Sequence, residues 1–300
     1  MAYIMPILEE RHFGMERFKK LSGPRWWYYY LHSFVKGWPQ RALFAEVKTF
    51  VLFVGYPRSG HSLIGSLLDA HPNVVISNQL NALYFFQKRY FRHQIYHLIL
   101  RNATELGQAG RKNSGYDYAV PNQWQGRFKN LRVMGDKRGG GTARMLHEND
   151  PEELLTNVPQ IAKAQLKIIH VIRNPFDNIS TMVRRGLKTT EAGFTEELFQ
   201  DKVDNYFFRA QAIEALRSSR KYDICDIYLE NFIAQPKKEL QVLCDFLQVE
   251  ATEAYLDDCA SIIWPKPHHS RHKADFWSEE RTARVEARMK SIDFLQDFTF

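Results

Sequence analysis

The clearest hydrophobic pattern in the chain is a run of five apolar residues at 50–54. A strand that is apolar at every position is buried on both faces, as in a parallel sheet covered by helices. After a short loop, apolar residues recur at helical spacing, at Leu63, Ile64, Leu67 and Leu68. The pattern therefore predicts a buried strand, a loop and a helix in this order.

Four further runs, largely apolar, have the length of strands, and segments with helical spacing separate them. These runs are 74–76, 131–134, 168–172 and 224–228. Strands that alternate with helices predict an α/β fold, with a mostly parallel central sheet that helices flank on both faces. The chain has no internal repeat, low-complexity tract or Gly/Ser linker, so we expect one domain over residues 1–300.

Two aromatic segments allow more than one interpretation. Residues 80–130 are rich in aromatic and turn-forming residues, and segments that leave a sheet in this way often cap a ligand site. A helical insertion that contacts no ligand is the alternative, and the sequence favours neither. The run Trp26–Tyr30 either docks against lipid or a partner or, more simply, packs over an edge of the core.

The composition, 44% hydrophobic and 25% charged, is that of an ordinary globular protein and excludes a disordered or fibrous chain. The formal charge of +7 is spread along the sequence, which suits a small anionic ligand better than a nucleic acid. Three scattered cysteines, Cys225, Cys244 and Cys259, fit neither a disulfide framework nor a CxxC metal site. Their scarcity favours a reducing compartment.

Charged residues interrupt the apolar positions near the N-terminus, at Glu9, Glu10, Arg11, Glu16 and Arg17. They leave no apolar stretch as long as a signal peptide requires. No later stretch reaches the roughly 18 uncharged apolar residues of a membrane span. We therefore expect a cytoplasmic protein that is not secreted and does not span a membrane.

A loop of glycine, proline and polar residues, Gly55–Ser62, joins the strand at 50–54 to the following helix. At such a junction, backbone N–H groups and the helix dipole can bind a phosphate. The spacing is nearly that of the nucleotide-binding loop GxxxxGKS/T, but His61 stands where the lysine belongs and Arg58 supplies an earlier cation. A tight turn without a ligand is the alternative, and the strand context favours phosphate binding.

A second basic segment, Arg173–Thr181, directly follows the strand predicted at 168–172. Nucleoside triphosphatases commonly place an aspartate that holds magnesium at this strand end, whereas this strand ends in arginine. An arginine with a hydroxyl eight residues later is suited to a second phosphate of the same nucleotide. Considered alone, Arg173 is better explained by a structural ion pair with Asp177.

Together these segments resemble the sulfotransferases that use 3′-phosphoadenosine 5′-phosphosulfate (PAPS). Pro57–Leu63 resembles the family's loop for the 5′-phosphosulfate, Pro-Lys/Arg-Ser-Gly-Thr/Ser-Thr/Ser, and Arg173–Thr181 resembles its 3′-phosphate segment. Tyr228-Leu229-Glu230-Asn231 and the helix after Pro236 are similar to the family's Tyr-Glu-x-Leu and Phe-Leu-Gly stretch. The resemblance spans about residues 48–290, is weakest over 80–130, and implies a P-loop-like fold.

The resemblance implies a set of residues that bind the nucleotide. The 5′-phosphosulfate would be held by Arg58, Ser59, Gly60, His61, Ser62 and Leu63. The 3′-phosphate would be held by Arg173 and Thr181. Tyr228, in the motif Tyr228-Leu229-Glu230-Asn231, would also bind the nucleotide. A C-terminal basic loop of Arg271, His272 and Lys273 would close on the 3′-phosphate, unless it is a plain run of surface charge. The product would be adenosine 3′,5′-bisphosphate (PAP), and the family requires no metal.

The resemblance also implies catalytic roles for Arg58, Lys137 and the residue at position 79. Lys137 resembles the lysine that several branches place near the bridging oxygen, where it would neutralise the leaving phosphate; a solvated surface lysine is the alternative. The glycines that follow it, 139–141, depart from the family and allow a mobile flap over the nucleotide. Gln79 stands where tyrosylprotein sulfotransferases carry the glutamate that deprotonates the acceptor.

Two explanations of Gln79 stay open, because an amide is not a general base at neutral pH. In the first, another residue serves as the base, and the candidates nearest to the motifs are His61, His147 and Asp136. Alternatively, Gln79 is a Glu→Gln substitution that traps a bound complex, and we favour this explanation.

The acceptor is predicted to be a small molecule bound by segment 80–130, and a natural product such as a saxitoxin-like alkaloid is one hypothesis. The sequence decides neither O- against N-sulfation nor the oligomeric state. A nucleotide or small-molecule kinase is a competing function, which the missing loop lysine and strand-end aspartate argue against. A non-enzymatic polyanion-binding module is another, for which the basic residues are too dispersed in the sequence.

Overall fold

The computed structural model describes residues 24–113 and 115–300. The strands are β1 Thr49–Gly55, β2 Val74–Asn78, β3 Lys112–Asn113, β4 Tyr116–Asp117, β5 Val133–Lys137, β6 Gln165–Ile172 and β7 Asp223–Tyr228. The helices are α1 Pro24–Gly37, α2 His61–Asp69, α3 Ala82–Gln87, α4 Arg92–Gln108, α5 Gly139–Glu148, α6 Pro151–Ala162, α7 Pro175–Leu187, α8 Glu196–Ser218, α9 Leu229–Ala234, α10 Pro236–Leu247, α11 Glu253–Ser261 and α12 Glu279–Met289. The charged positions that argue against a signal peptide lie at 9–17, outside the described residues.

Five strands form one parallel sheet in the order β2-β5-β1-β6-β7, and β3 and β4 form a separate antiparallel hairpin. The predicted α/β fold is confirmed, because all five predicted strands belong to the large sheet. One boundary differs, since β5 runs on to Lys137 instead of ending at Met134. Asp136 and Lys137 are buried polar residues, which an apolar pattern does not assign to a strand.

The strand order determines where a ligand can bind. The chain crosses from β1 to the edge strand β2, returns to β5, and then continues on the other side of β1 with β6 and β7. Because the strands are parallel, the carboxyl ends of β1, β5 and β6 lie at one edge of the sheet, where the connections diverge. Open α/β sheets bind their ligands at this switch point.

Strand β1 is buried along its whole length, as its apolar sequence predicts. Phe50, Leu52 and Val54 pack into the core on one face of the sheet, and Val51 and Phe53 pack into the core on the other. Successive side chains of a strand point to opposite faces, so both faces of β1 are covered. The two cores fix β1 and, with it, the loop that follows.

Segment 80–130 leaves the sheet as α3, α4 and the β3–β4 hairpin. A buried ion pair between Asp69, at the end of α2, and Arg111, just before β3, holds the base of the hairpin. Asp69 also accepts the backbone N–H groups of Ile76 at 2.7 Å and Gly126 at 2.8 Å. Bonds to a charged carboxylate are stronger than neutral ones, so this one side chain joins the hairpin firmly to the sheet.

The aromatic run at the start of α1 is more exposed than predicted. Tyr30 packs edge-on against Tyr90 with ring centroids 5.0 Å apart, but Trp27 and Tyr28 are 57% and 63% exposed. Packing over the core therefore explains only part of the run, and the side chain of Trp26 lies outside the described ones. None of the described helices is long and apolar enough to cross a membrane.

Candidate active site

A cleft of about 1960 Å³ opens at the carboxyl edge of the sheet. Its walls come from the loop after β1, the ends of β2, β5 and β6, the start of α5, part of α7 and the segment 262–273. A pocket for a single small ligand typically measures about 300–1000 Å³. The cleft therefore has room for a nucleotide and a second molecule together.

The loop after β1 presents backbone donors to the cleft. Gly60 has a left-handed conformation with φ +100°, and a Cβ there would lie 2.7 Å from the Leu229 side chain. Among the described residues, none accepts a hydrogen bond from the N–H groups of Gly60, His61 and Ser62. Unpaired N–H groups at the start of a helix bind anionic oxygens, and Arg58 lines the cleft beside them.

The His61 ring is enclosed between two glycines. A Cβ at Gly55 would lie 2.7 Å from Nε2 of the ring, and one at Gly139 would overlap it. Ser59 Oγ lies 3.2 Å from the same nitrogen. Burial, with the nearby charge of Lys137, lowers the pKa of His61 to about 3, so the ring is neutral at physiological pH. His61 therefore offers a backbone N–H to an anion and adds no positive charge.

The glycine run that allowed a mobile flap is the first turn of α5. Gly139 is buried against the His61 ring, and a Cβ at Gly140 would approach the Pro57 ring to 3.2 Å. The flap interpretation is wrong, because close packing of α5 on the loop also demands residues without side chains. Flexibility and close approach give the same glycine signal in a sequence.

Lys137 ends β5 and is only 4% exposed, so the alternative of a solvated surface lysine is wrong. Its Nζ donates to Ser62 Oγ at 3.0 Å, and its stem crosses α2 at Gly65, where a Cβ would lie 2.7 Å away. Burial lowers the pKa of Lys137 to about 8, although the charge of Asp136 opposes the shift. Lys137 lines the cleft as a cation fixed beside the loop.

Gln79 follows β2 and lies beside the end of β5. Its backbone N–H donates to the Lys137 carbonyl at 3.1 Å, and its φ of +59° turns the chain out of the sheet. The residue lines the cleft. The fold therefore brings Gln79, Lys137 and the loop after β1 to the same edge of the sheet.

The three alternative bases are enclosed, hydrogen-bonded or outside the cleft. Asp136 is buried, and its carboxylate accepts three hydrogen bonds from the turn at 77–82. His147 is exposed on α5, packs beside Phe208, and is not among the residues that line the cleft. The His61 ring is enclosed and holds its proton weakly.

Arg173, at the end of β6, connects several segments of the cleft. Nη1 donates to the Arg58 carbonyl and to Thr181 Oγ1, each at 3.2 Å. Nη2 donates to the His268 carbonyl at 2.8 Å and to Ser270 Oγ at 3.0 Å. Arg173 is 8% exposed and its pKa is lowered by burial, so a guanidinium and two hydroxyls are held together in a poorly hydrated place.

Asp177 pairs with Arg271 and not with Arg173, so the predicted structural ion pair is wrong. The Asp177 carboxylate also accepts the backbone N–H of Arg271 at 2.8 Å. This bond ties the C-terminal basic loop to α7. Within that loop Lys273 lines the cleft, whereas Arg271 and His272 do not. Sequence reasoning missed three cleft residues that directly precede this loop, His268, His269 and Ser270.

Tyr228 is not among the cleft residues, although its motif contributes to the site. Its ring lies 6.0 Å from that of Phe298, between ring centroids. The next two residues, Leu229 and Glu230, line the cleft instead. Glu230 accepts the backbone N–H of Asn174 at 3.0 Å, so its carboxylate positions the turn after Arg173.

The β3–β4 hairpin supplies two tyrosines that sequence reasoning did not single out. Tyr116 and Tyr118 stack with ring centroids 6.0 Å apart and line the cleft. Asn81 and Tyr84 line it as well, so segment 80–130 forms part of one wall. The hairpin strands have two residues each, too short for any hydrophobic periodicity to indicate them.

The cleft gathers the positive charge of the chain. Eleven Lys and Arg line it against three Asp and Glu, an excess of eight, whereas the whole sequence has an excess of seven. The basic residues are Arg58, Lys137, Arg138, Arg144, Arg173, Arg184, Arg185, Lys188, Arg209, Lys266 and Lys273. Charges that are dispersed in the sequence are therefore concentrated by the fold, and such a cleft attracts anions.

Residues 51–253 match a family model described as the sulfotransferase family. The chain belongs to the sulfotransferase family. A curated relative, protein-tyrosine sulfotransferase 1 of Danio rerio, is 26% identical over 212 residues, which cover 69% of this chain and 55% of the relative. This sulfotransferase chain thus spans about half the length of that relative.

Two solved sulfotransferase structures are similar to the chain. Sulfotransferase STF9 from Mycobacterium avium is 12% identical with a TM-score of 0.52, over 90% of this chain and 82% of that chain. Mouse sulfotransferase SULT7A1 complexed with PAP is 12% identical with a TM-score of 0.45, over 86% and 89%. The likeness to STF9 confirms the P-loop-like α/β fold.

Proposed function

We propose that this chain transfers the sulfuryl group of PAPS to a hydroxyl or nitrogen of a small-molecule acceptor. Membership of the sulfotransferase family supports the reaction class. The observation that carries the proposal is a pair of anion-binding arrangements in one cleft, linked by the 3.2 Å bond from Arg173 Nη1 to the Arg58 carbonyl. A nucleotide with phosphate at both its 5′ and 3′ positions requires two such arrangements at a fixed separation.

The residues around these arrangements fit the donor nucleotide. The unpaired N–H groups of residues 60–62 would bind oxygens of the 5′-phosphosulfate, with Arg58 supplying charge. Nε of Arg58 is buried and has no partner among the described residues, so this donor would be satisfied by an oxygen of the phosphosulfate. Thr181 Oγ1 and Lys273 would bind the 3′-phosphate next to Arg173.

Lys137 would stabilise the departing phosphate. Sulfuryl transfer leaves negative charge on the donor's bridging oxygen, so a fixed cation nearby lowers the barrier. The bond to Ser62 Oγ holds Lys137 Nζ next to the N–H groups of the loop. With a pKa of about 8, Lys137 is mostly protonated at pH 7.

Gln79 would contact the acceptor but cannot take its proton. A side-chain amide can hold a hydroxyl in place through hydrogen bonds, yet it has no basic atom at neutral pH. His61, His147 and Asp136 are not placed to act instead. Their positions support the explanation that Gln79 replaces a catalytic glutamate, which leaves binding intact and slows turnover.

Segment 80–130 would bind the acceptor through Tyr84, Tyr116 and Tyr118. A saxitoxin-like alkaloid carries positive charge and would be repelled by the excess of positive charge in the cleft. The hypothesis of an alkaloid acceptor is therefore weaker than that of a neutral or anionic acceptor. A neutral or anionic acceptor agrees better with the lining.

Thermal unfolding with nucleotides tests the proposed function. PAP at about 100 times its dissociation constant should raise the melting temperature by roughly 5 °C, because it binds the folded state alone. AMP lacks the 3′-phosphate and should give a smaller shift. Arg173→Ala should lose the PAP shift, whereas Arg184→Ala, which removes one charge from the same cleft, should keep it.

Two outcomes would overturn the proposal. A shift with ATP and magnesium but none with PAP would identify a kinase, because a kinase binds ATP with magnesium and needs no site for a 3′-phosphate. No shift with any of the nucleotides would leave a family member without the nucleotide site.

A further inference from the structure

A cluster of three arginines lies where α5 begins, on the opposite side of β1 from Arg173. Arg138 immediately precedes α5, Arg144 lies on its second turn and Arg209 lies on α8, and all three line the cleft. Arg209 is fixed to the first turn of α5, because its Nε donates to the Gly140 carbonyl at 2.9 Å. We call these three side chains the arginine cluster.

Two side-chain nitrogens of Arg138 have no hydrogen-bond partner among the described residues. Its Nε and Nη1 are shielded from water, and neither has a partner among the described residues. The side chain lies over the first turn of α5, where a Cβ at Gly141 would come within 2.9 Å of Arg138 Cδ. Burying the N–H donors of a charged group costs free energy when these donors form no hydrogen bond. An oxyanion bound at this position would supply the missing acceptors.

Among the described residues, one of the three arginines of the cluster has an ion-pair partner. Glu148 pairs with Arg144 at 2.6 Å, and in the part of the chain that the structure describes neither Arg138 nor Arg209 has an ion-pair partner. Arg209 donates instead to the neutral Asn205 Oδ1 at 2.6 Å. Burial is the main cause that lowers the pKa of Arg209 to about 10, and the charge of Arg144 adds to it.

The strand order separates the arginine cluster from the 3′-phosphate arrangement. Strand β1 lies between β5 and β6, and Arg173 follows β6 whereas Arg138 follows β5. A nucleotide that runs from the loop after β1 toward Arg173 therefore occupies the β6 side. The β5 side, which holds the arginine cluster together with Lys137 and Gln79, is left for the second molecule.

We propose that the arginine cluster binds an anionic group of the acceptor, a carboxylate, sulfate or phosphate near its nucleophile. This inference rests on the proposed function, because the donor's position defines the acceptor's side. Guanidinium groups bind such oxyanions through paired, charge-assisted hydrogen bonds. The substrate class is then acidic molecules with a hydroxyl or amine, and the cluster selects them over neutral analogues.

Inorganic sulfate is the probe for this site. Calorimetric titration of sulfate into the PAP-saturated protein, at ionic strength held constant with sodium chloride, should show saturable binding. Arg138→Gln and Arg144→Gln should each weaken it at least about tenfold, because each removes bonds to a charged group. Arg138→Lys should weaken it less, since the charge stays. Arg184→Gln, an exposed cleft position outside the cluster, should change it by no more than about twofold.

The affinity for PAP separates this inference from the proposed function. Arg138→Gln should keep the wild-type affinity for PAP, which also shows that the variant is folded, whereas Arg173→Ala should lose it. If PAP displaces the sulfate, or if Arg138→Gln weakens PAP and sulfate equally, the cluster belongs to the nucleotide site and the inference is overturned. Absence of any sulfate binding overturns it too. If the wild-type protein binds sulfate through Arg138 but not PAP, the proposed function fails and the anion site stands.

Discussion

At the scale of single residues, His61 occupies a position where nucleotide-binding loops usually carry a lysine. Its ring is buried between Gly55 and Gly139 and stays neutral, because burial lowers its pKa to about 3. The positive charge of the loop comes instead from Arg58 and from Lys137, which the neighbouring Ser62 holds in place. The loop therefore keeps the backbone geometry of a phosphate site while its cations come from other positions.

The buried His61 ring should make stability depend on pH. An unfolded histidine has a pKa of about 6.5, so on acidification the unfolded chain takes up a proton that the folded state refuses until about pH 3. The free energy of unfolding should therefore fall by about 1.6 kcal/mol between pH 6.5 and pH 5 through this group. Urea titrations at pH 6.5 and pH 5 measure this free energy of unfolding. His61→Gln should flatten the dependence by that amount, and an equal fall in variant and wild type would contradict the assignment.

Gln79 should limit the rate of sulfuryl transfer. A carboxylate at position 79 would take the acceptor's proton, and general bases typically contribute about 10²–10⁴-fold. Gln79→Glu should therefore raise turnover with PAPS at least about 100-fold, whereas Gln79→Ala should not raise it. The measurement is the steady-state rate with an acceptor whose sulfated product is confirmed. An unchanged rate in Gln79→Glu would show that position 79 is not the base position.

At the scale of elements, the first turn of α5 is shaped by its contact with the loop after β1. The φ of Gly139 is outside the left-handed range, so alanine is acceptable to the backbone there and is the better helix former. A Cβ at this position would overlap the His61 ring. Steric overlap and helix propensity therefore predict opposite effects of the same substitution.

Gly139→Ala should destabilise the protein by about 2 kcal/mol, since overpacking a buried contact outweighs the gain in propensity. The second change His61→Ser should restore most of the loss, because it removes the ring that the new methyl group meets. Denaturant unfolding of the two single variants and the double variant measures this coupling. Additive effects would mean that Gly139 is required for another reason.

The sequence predicts elements well where one hydrophobic period determines them. β1 is apolar from Phe50 to Val54 and is found where predicted, with the loop and α2 after it. β5 is shifted because its last residues, Asp136 and Lys137, are polar yet buried by tertiary contacts. The β3–β4 hairpin is held by the distant pair Asp69–Arg111 and leaves no periodic signal.

At the scale of the whole molecule, the fold brings together residues that the sequence keeps apart. Arg58, Lys137 and Arg173 come from three different strand ends and share one cleft. Their motifs can be recognised in the sequence because each follows a strand, and ligands bind at the strand ends of a parallel sheet. The arginine cluster was not predictable, since Arg209 lies mid-helix on α8 and reaches the cleft only through the packing of α8 on α5.

This concentration of charge should speed the capture of anionic nucleotides. Eleven basic residues against three acidic ones create a field that extends beyond the cleft, and salt screens it over about 10 Å at 0.1 M. The association rate of PAP should therefore fall several-fold between low and physiological ionic strength, with little change in the dissociation rate.

The double variant Arg185→Gln/Lys188→Gln should slow association at low salt and match the wild type at high salt. Stopped-flow fluorescence separates the two rates. Lys221→Gln, which removes an exposed charge outside the cleft, is the control, and an equal slowing by that variant would attribute the effect to net charge instead of to the cleft.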